Sequence, residues 1–79
     1  MQELNAYTLY EVIETSADLD CIRLIYTTFV KDLAETVMYK AFVVSEYEKD
    51  LVVINRNSRE IVSYCFSEAT KAKRGECQG

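Results

Sequence analysis

From Met1 to Arg74 the chain contains neither proline nor glycine; its two glycines are Gly75 and Gly79. Glycine adopts a left-handed backbone at little cost, and proline breaks helices and strand ladders, so together they punctuate most folds. Their absence removes any flexible or proline-rich linker, any low-complexity stretch and any glycine-rich phosphate loop. The sequence therefore predicts one compact domain over residues 1–79, with a core from about Leu4 to Arg74 and a polar tail at 75–79.

A chain of 79 residues with 49% apolar side chains is globular in composition but only marginally able to hold a core. Domains of this size gain stability from disulfides, a metal or a partner surface. Cys21, Cys65 and Cys77 are odd in number and widely spaced, with no Cys-x-x-Cys pair and no histidine, so neither a disulfide framework nor a metal site is expected. Nor is a cofactor. Residues 1–5 lack the basic and apolar segments of a secretory leader, which points to a reducing, cytoplasmic setting. No apolar run approaches the roughly 18 residues of a membrane span. A partner surface remains, and a second copy of the chain is one candidate to supply it.

Hydrophobic spacing orders the elements. Asn57 and Glu60 are spaced as a capping box ahead of a stripe of Ile61, Val62, Cys65, Phe66, Ala69 and Ala72; Lys71, Lys73 and Arg74 then sit where a helix end favours cations, and Gly75 follows as a stop. This predicts a helix at about 58–74. Thr15 and Asp18 precede a second stripe, Ile22, Ile25, Tyr26, Phe29, Val30, Leu33 and Val37, which predicts a helix at about 17–38 even though Thr27 and Thr28 lower its propensity. Phe42–Val44 and Leu51–Ile54 are short β-branched runs around a polar stretch and read as a hairpin; a helix continuing through Val44 is the competing reading. Thr8 and Glu11 suggest a short helix at 8–15, with a strand including Tyr7 and Tyr10 as the alternative. The expected fold is a small, helix-rich α+β domain of order α-α-β-β-α, its short antiparallel hairpin packed on two longer helices.

Catalysis finds little to work with. Without histidine there is no Ser-His or Cys-His pair and no neutral-pH proton shuttle. The carboxylate neighbours Glu11/Glu14, Asp18/Asp20 and Asp32/Glu35 fall on polar faces, where they are expected to be solvated. Cys65, and Cys21 with it, reads as a small core residue and Cys77 as an exposed one. No catalytic residue is assigned.

Binding has better candidates. Six tyrosines and no tryptophan suggest amphipathic surface positions. Tyr39 and Tyr47, beside Glu46, Glu48 and Asp50, form the predicted partner-binding set. Residues 1–55 hold ten acids against four bases, a field that steers toward a basic target. The leading expectation is a non-enzymatic protein-binding module, a small acidic regulator or inhibitor that occludes a larger partner. The alternative is a nucleic-acid-binding regulator using Arg56, Arg59, Lys71, Lys73 and Arg74 on the ends of the last helix, about 22 Å apart.

Overall fold

The computed structural model describes residues 8–74. Six elements follow one another: β1 (Tyr10–Thr15), β2 (Cys21–Thr28), α1 (Lys31–Val44), β3 (Asp50–Asn55), β4 (Glu60–Cys65) and α2 (Glu68–Arg74). The strands form one antiparallel sheet in the order β2-β1-β3-β4. The expected helix-rich α-α-β-β-α order is thereby corrected to β-β-α-β-β-α. The helix expected at 17–38 divides into β2 and the first part of α1. The helix expected at 58–74 divides into β4 and α2. Residues 10–15 take the strand alternative, and Phe42–Val44 belong to α1, as the competing reading had it. The run Leu51–Ile54 keeps its predicted strand inside β3, and residues 31–38 and 68–74 keep their predicted helical form.

The two divided helices share a physical cause. Pairing with β1 passes over Ile25 and again over Ile22, and pairing of β4 with β3 passes over Val62. Each extra residue is a bulge, which shifts the inside–outside alternation by one. Tyr26 and Arg23, paired with Val12 and Glu14, therefore share a face three residues apart, as do Ile61 and Tyr64. A bulged strand thus counterfeits helical spacing, and Ile22, Tyr26, Phe29, Val30 and Leu33 are exposed instead of lying on a buried stripe.

Cap signals were displaced for a related reason. Asx and Ser side chains bind nearby amides in turns as well as at helix starts. Asn55 Oδ1 accepts from the amides of Asn57 (2.9 Å) and Ser58 (3.2 Å) in the β3–β4 turn. Ser16 Oγ accepts from Asp18 and Asp20 in the β1–β2 turn. The residue that caps α2 is Ser67, whose Oγ accepts from the Thr70 amide at 3.2 Å. At the start of α1 the capping position is Val30, which makes no side-chain cap bond.

Turns that glycine would serve are made without it. Leu19, Glu46, Tyr47 and Arg59 all have φ between 62° and 66°. Glu46 and Tyr47 close α1: the Tyr47 amide donates to the Phe42 carbonyl (3.0 Å) and the Glu46 amide to Val43 (2.8 Å). This is the Schellman pattern, with its usual apolar contact supplied by the Tyr47 and Phe42 rings, edge to face at 5.3 Å.

The core lies on both faces of β3, whose residues Asp50–Val53 are all buried. On one face α1 sets Ala34 and Met38 against Val12, Leu51 and Val53. On the other, Phe66 covers Ile13 and Val52. Phe66 is held there because Asp50 anchors the chain that follows it. Asp50 Oδ1 accepts from the Ser67 amide at 2.8 Å, and Oδ2 accepts from the Thr70 hydroxyl.

Two stability outcomes are expected in urea unfolding. Asp50→Ala strands the buried Ser67 amide and Thr70 hydroxyl and lowers stability by about 1–3 kcal/mol. Glu46→Gly relieves a left-handed non-glycine residue and raises stability by about 1 kcal/mol.

Candidate functional site

Where α1 ends and α2 begins, the two helix termini and the end of β4 enclose an open cleft of about 500 Å³. Phe42 and Tyr47 come from the α1 terminus, Tyr64, Cys65 and Phe66 from the end of β4, and Glu68 and Lys71 from α2. The local sequence explains the convergence. Tyr47 is turned back onto Phe42 by the Schellman closure, while Tyr64 and Phe66 lie two residues apart and stack at 4.6 Å between ring centres. Phe66 is buried, but Tyr47 and Tyr64 keep 54% and 57% of their surface exposed. A second hollow adjoins it, lined by Glu46, Glu48, Ser67 and Ala69 and sharing Tyr47 and Glu68 with the first. Together they make an aromatic corner bordered by three glutamates.

Among the described residues lining this corner, Lys71 is the cation. Lys71 Nζ lies 3.8 Å from Glu68 Oε2, an i,i+3 pair with both side chains well exposed. Exposed pairs of this kind contribute about 0–1 kcal/mol and open readily. Lys71 also faces the thiol of Cys65. Burial pushes that thiol above its ordinary pKa, and the Lys71 charge lowers it only in part. A protonated, half-buried thiol is a poor nucleophile.

The predicted partner set divides between two roles and two places. Tyr47, Glu46 and Glu48 meet in the corner. Asp50 is buried and committed to Ser67 and Thr70, so its part is to position α2. Tyr39 is exposed but lines a separate groove on α1 with Asp32, Glu35, Thr36 and Lys40. Sequence reasoning missed Phe42, Tyr64, Phe66 and Glu68. The alternating pair Tyr64 and Phe66 was the available signal, hidden by the helical reading of that segment.

The basic set does not converge. Arg56 pairs with Glu11 (3.7 Å), and Arg59 lies in the β3–β4 turn. Lys71 and Lys73 follow the far end of β4, a strand of six residues or about 20 Å. The helix that was to join them does not exist. The side chain of Arg74, the tail at 75–79, Cys77 and Tyr7 lie outside the described residues. Cys21, read as a core residue, is exposed at the start of β2, which the strand assignment explains.

The carboxylate neighbours Glu11 and Glu14 turn to different partners. Glu14 is buried but bridges Arg23 (3.2 Å) and Lys49 (3.3 Å), while Glu11 turns to Arg56. Every buried side-chain nitrogen or oxygen described has a hydrogen-bond partner. Among the same residues no three His, Cys, Asp or Glu side chains cluster as a metal site, and no helix is long and apolar enough to cross a membrane. Comparison with protein-family models, curated proteins and solved structures returned no match.

In a Cys77→Ser background at neutral pH, Cys21 should be alkylated at least about tenfold faster than Cys65. Lys71→Gln should slow Cys65 further by removing the charge that favours its thiolate. Folding raises the Cys65 pKa, so the unfolded chain releases this proton first. The thiol's effect on stability is accordingly nil below about pH 8.5 and becomes a loss as pH rises beyond it.

Proposed function

We propose that this chain is a non-enzymatic protein-binding module, a small acidic regulator or inhibitor of the accessory or phage type. It acts in the cytoplasm by occluding a larger macromolecular partner that presents a basic surface. The observation that carries this reading is the corner where exposed Tyr47 and Tyr64 meet Glu46, Glu48 and Glu68. Aromatic faces and carboxylates in one concavity suit an arginine side chain, whose planar cation stacks on a ring while its fork binds a carboxylate. The partner's guanidinium would replace Lys71 at Glu68, exchanging a loose internal pair for a bidentate one. The remaining acids steer the encounter.

Lys71 makes this reading separable from nucleic-acid binding, because it competes with a basic protein but would assist a phosphate backbone. The experiment is capture from nuclease-treated lysate on the tagged chain, then affinity measurement with the captured partner for wild type, Tyr47→Ala and Lys71→Gln. The expected results are retention after nuclease, about tenfold weaker binding for Tyr47→Ala and a several-fold gain for Lys71→Gln. A partner lost on nuclease treatment, with Lys71→Gln weakening binding and reducing its salt slope by about one, overturns the proposal in favour of nucleic acid.

A further inference from the structure

A run of exposed apolar side chains lies on the opposite edge of the sheet from the aromatic corner. Strand β2 is an edge of eight residues, about 27 Å long, and among the described residues no strand lies beside its outer backbone groups. Ile22 and Leu24 keep 58% and 52% of their surface exposed, and Tyr26 is also exposed. Phe29, Val30 and Leu33 continue the exposure around the corner into α1. Soluble sheets protect such edges with charge, proline or short strands. Here the strand carries one charge, Arg23, whose guanidinium donates to Glu14 of β1 at 3.2–3.3 Å. The bulges at Ile22 and Ile25 twist the strand, and Arg23 lies on the α1 face with Tyr26, but its charge is paired with Glu14 and the strand holds no proline.

We propose that β2 is a homodimer interface: two copies pair their β2 strands antiparallel about a two-fold axis, forming one eight-stranded sheet. A second copy is the occupant that the strand's chemistry selects. Its net charge is small and already neutralised within the chain, so it offers nothing to the basic partner that the acidic corner would attract. Apolar side chains on both faces of the strand meet their own kind when the strand pairs with itself, as an isologous contact requires. The two-fold axis stands perpendicular to the sheet, so both α1 helices lie on one side of it. Tyr26, which shares the α1 face with Val12, and Leu33 of each copy then fill the groove between the helices, while Leu24, which shares a face with Ile13, packs across the seam on the other side. A stable interface takes about 800 Å² from each partner, roughly one-seventh of this chain's 5478 Å² surface, and six half-exposed large apolar residues are suited to provide it. The inference is independent of the function proposed for the aromatic corner, which faces away from this seam.

The test is light scattering in reductant over about 1–200 µM chain, with hydrogen exchange of the β2 amides read at both ends of the range. Wild type is expected at twice the 9.1 kDa chain mass, with β2 exchange slowing as concentration rises. Leu24→Lys, which places a charge on a side chain already half exposed, is expected to be a folded monomer with fast β2 exchange. A wild type that stays at 9.1 kDa across the range overturns the proposal. So does a dimer whose β2 amides exchange at the same rate as in dilute protein, a readout that needs no variant to fold. A dimer unaffected by Leu24→Lys places the interface elsewhere and overturns it equally.

Discussion

The carboxylate of Asp50 ties three parts of this molecule together. Its backbone begins β3, and its two oxygens hold the Ser67 amide and the Thr70 hydroxyl. A negative charge at the first turn of α2 is favoured by the helix dipole, and its burial makes the bonds hard to exchange for water. Through this contact Phe66 is kept over Ile13 and Val52, so a single ring covers the middle of that face of the sheet. The position of Glu68 and Lys71, and hence the rim of the aromatic corner, follows from the same anchor. A residue that looked like part of an exposed acidic surface is instead what aims that surface.

The proposed corner and the proposed seam lie at opposite edges of one sheet, β4 and β2. Joining two copies through β2 would leave both corners free and present them as a symmetric pair. A partner with two basic patches would then be held by both at once, with avidity set by the rigid span between them. The marginal size of the chain would give the proposed dimer a second use, since self-pairing would protect an edge that a monomer exposes to aggregation.

Much of the local chemistry was legible, and its placement was not. The apolar run Leu51–Ile54 read as a strand because it is β-branched and bounded by polar residues, although its place inside the sheet was not legible. The cationic end of α2 was legible from Lys71 and Lys73, and Tyr47 with Glu46 and Glu48 was legible as a surface set. The bulges at Ile22, Ile25 and Val62 defeated periodicity, because an inserted residue converts a two-residue repeat into a three-residue one. The end of α1 was invisible for a different reason. It closes on Glu46 and Tyr47 in left-handed conformations, where a reader looks for glycine.

By itself the sequence determined that the chain is acidic, rich in tyrosine and without histidine. It determined that Leu51–Ile54 would be a strand and that Lys71 and Lys73 would lie in a helix. Only the tertiary structure decided that Ile22–Tyr26 would be an edge strand and Asp50 a buried anchor. Those outcomes depend on which strand lies beside which, and on whether a carboxylate finds an amide seventeen residues away. Such pairings are long-range, and local propensity and spacing carry no term for them.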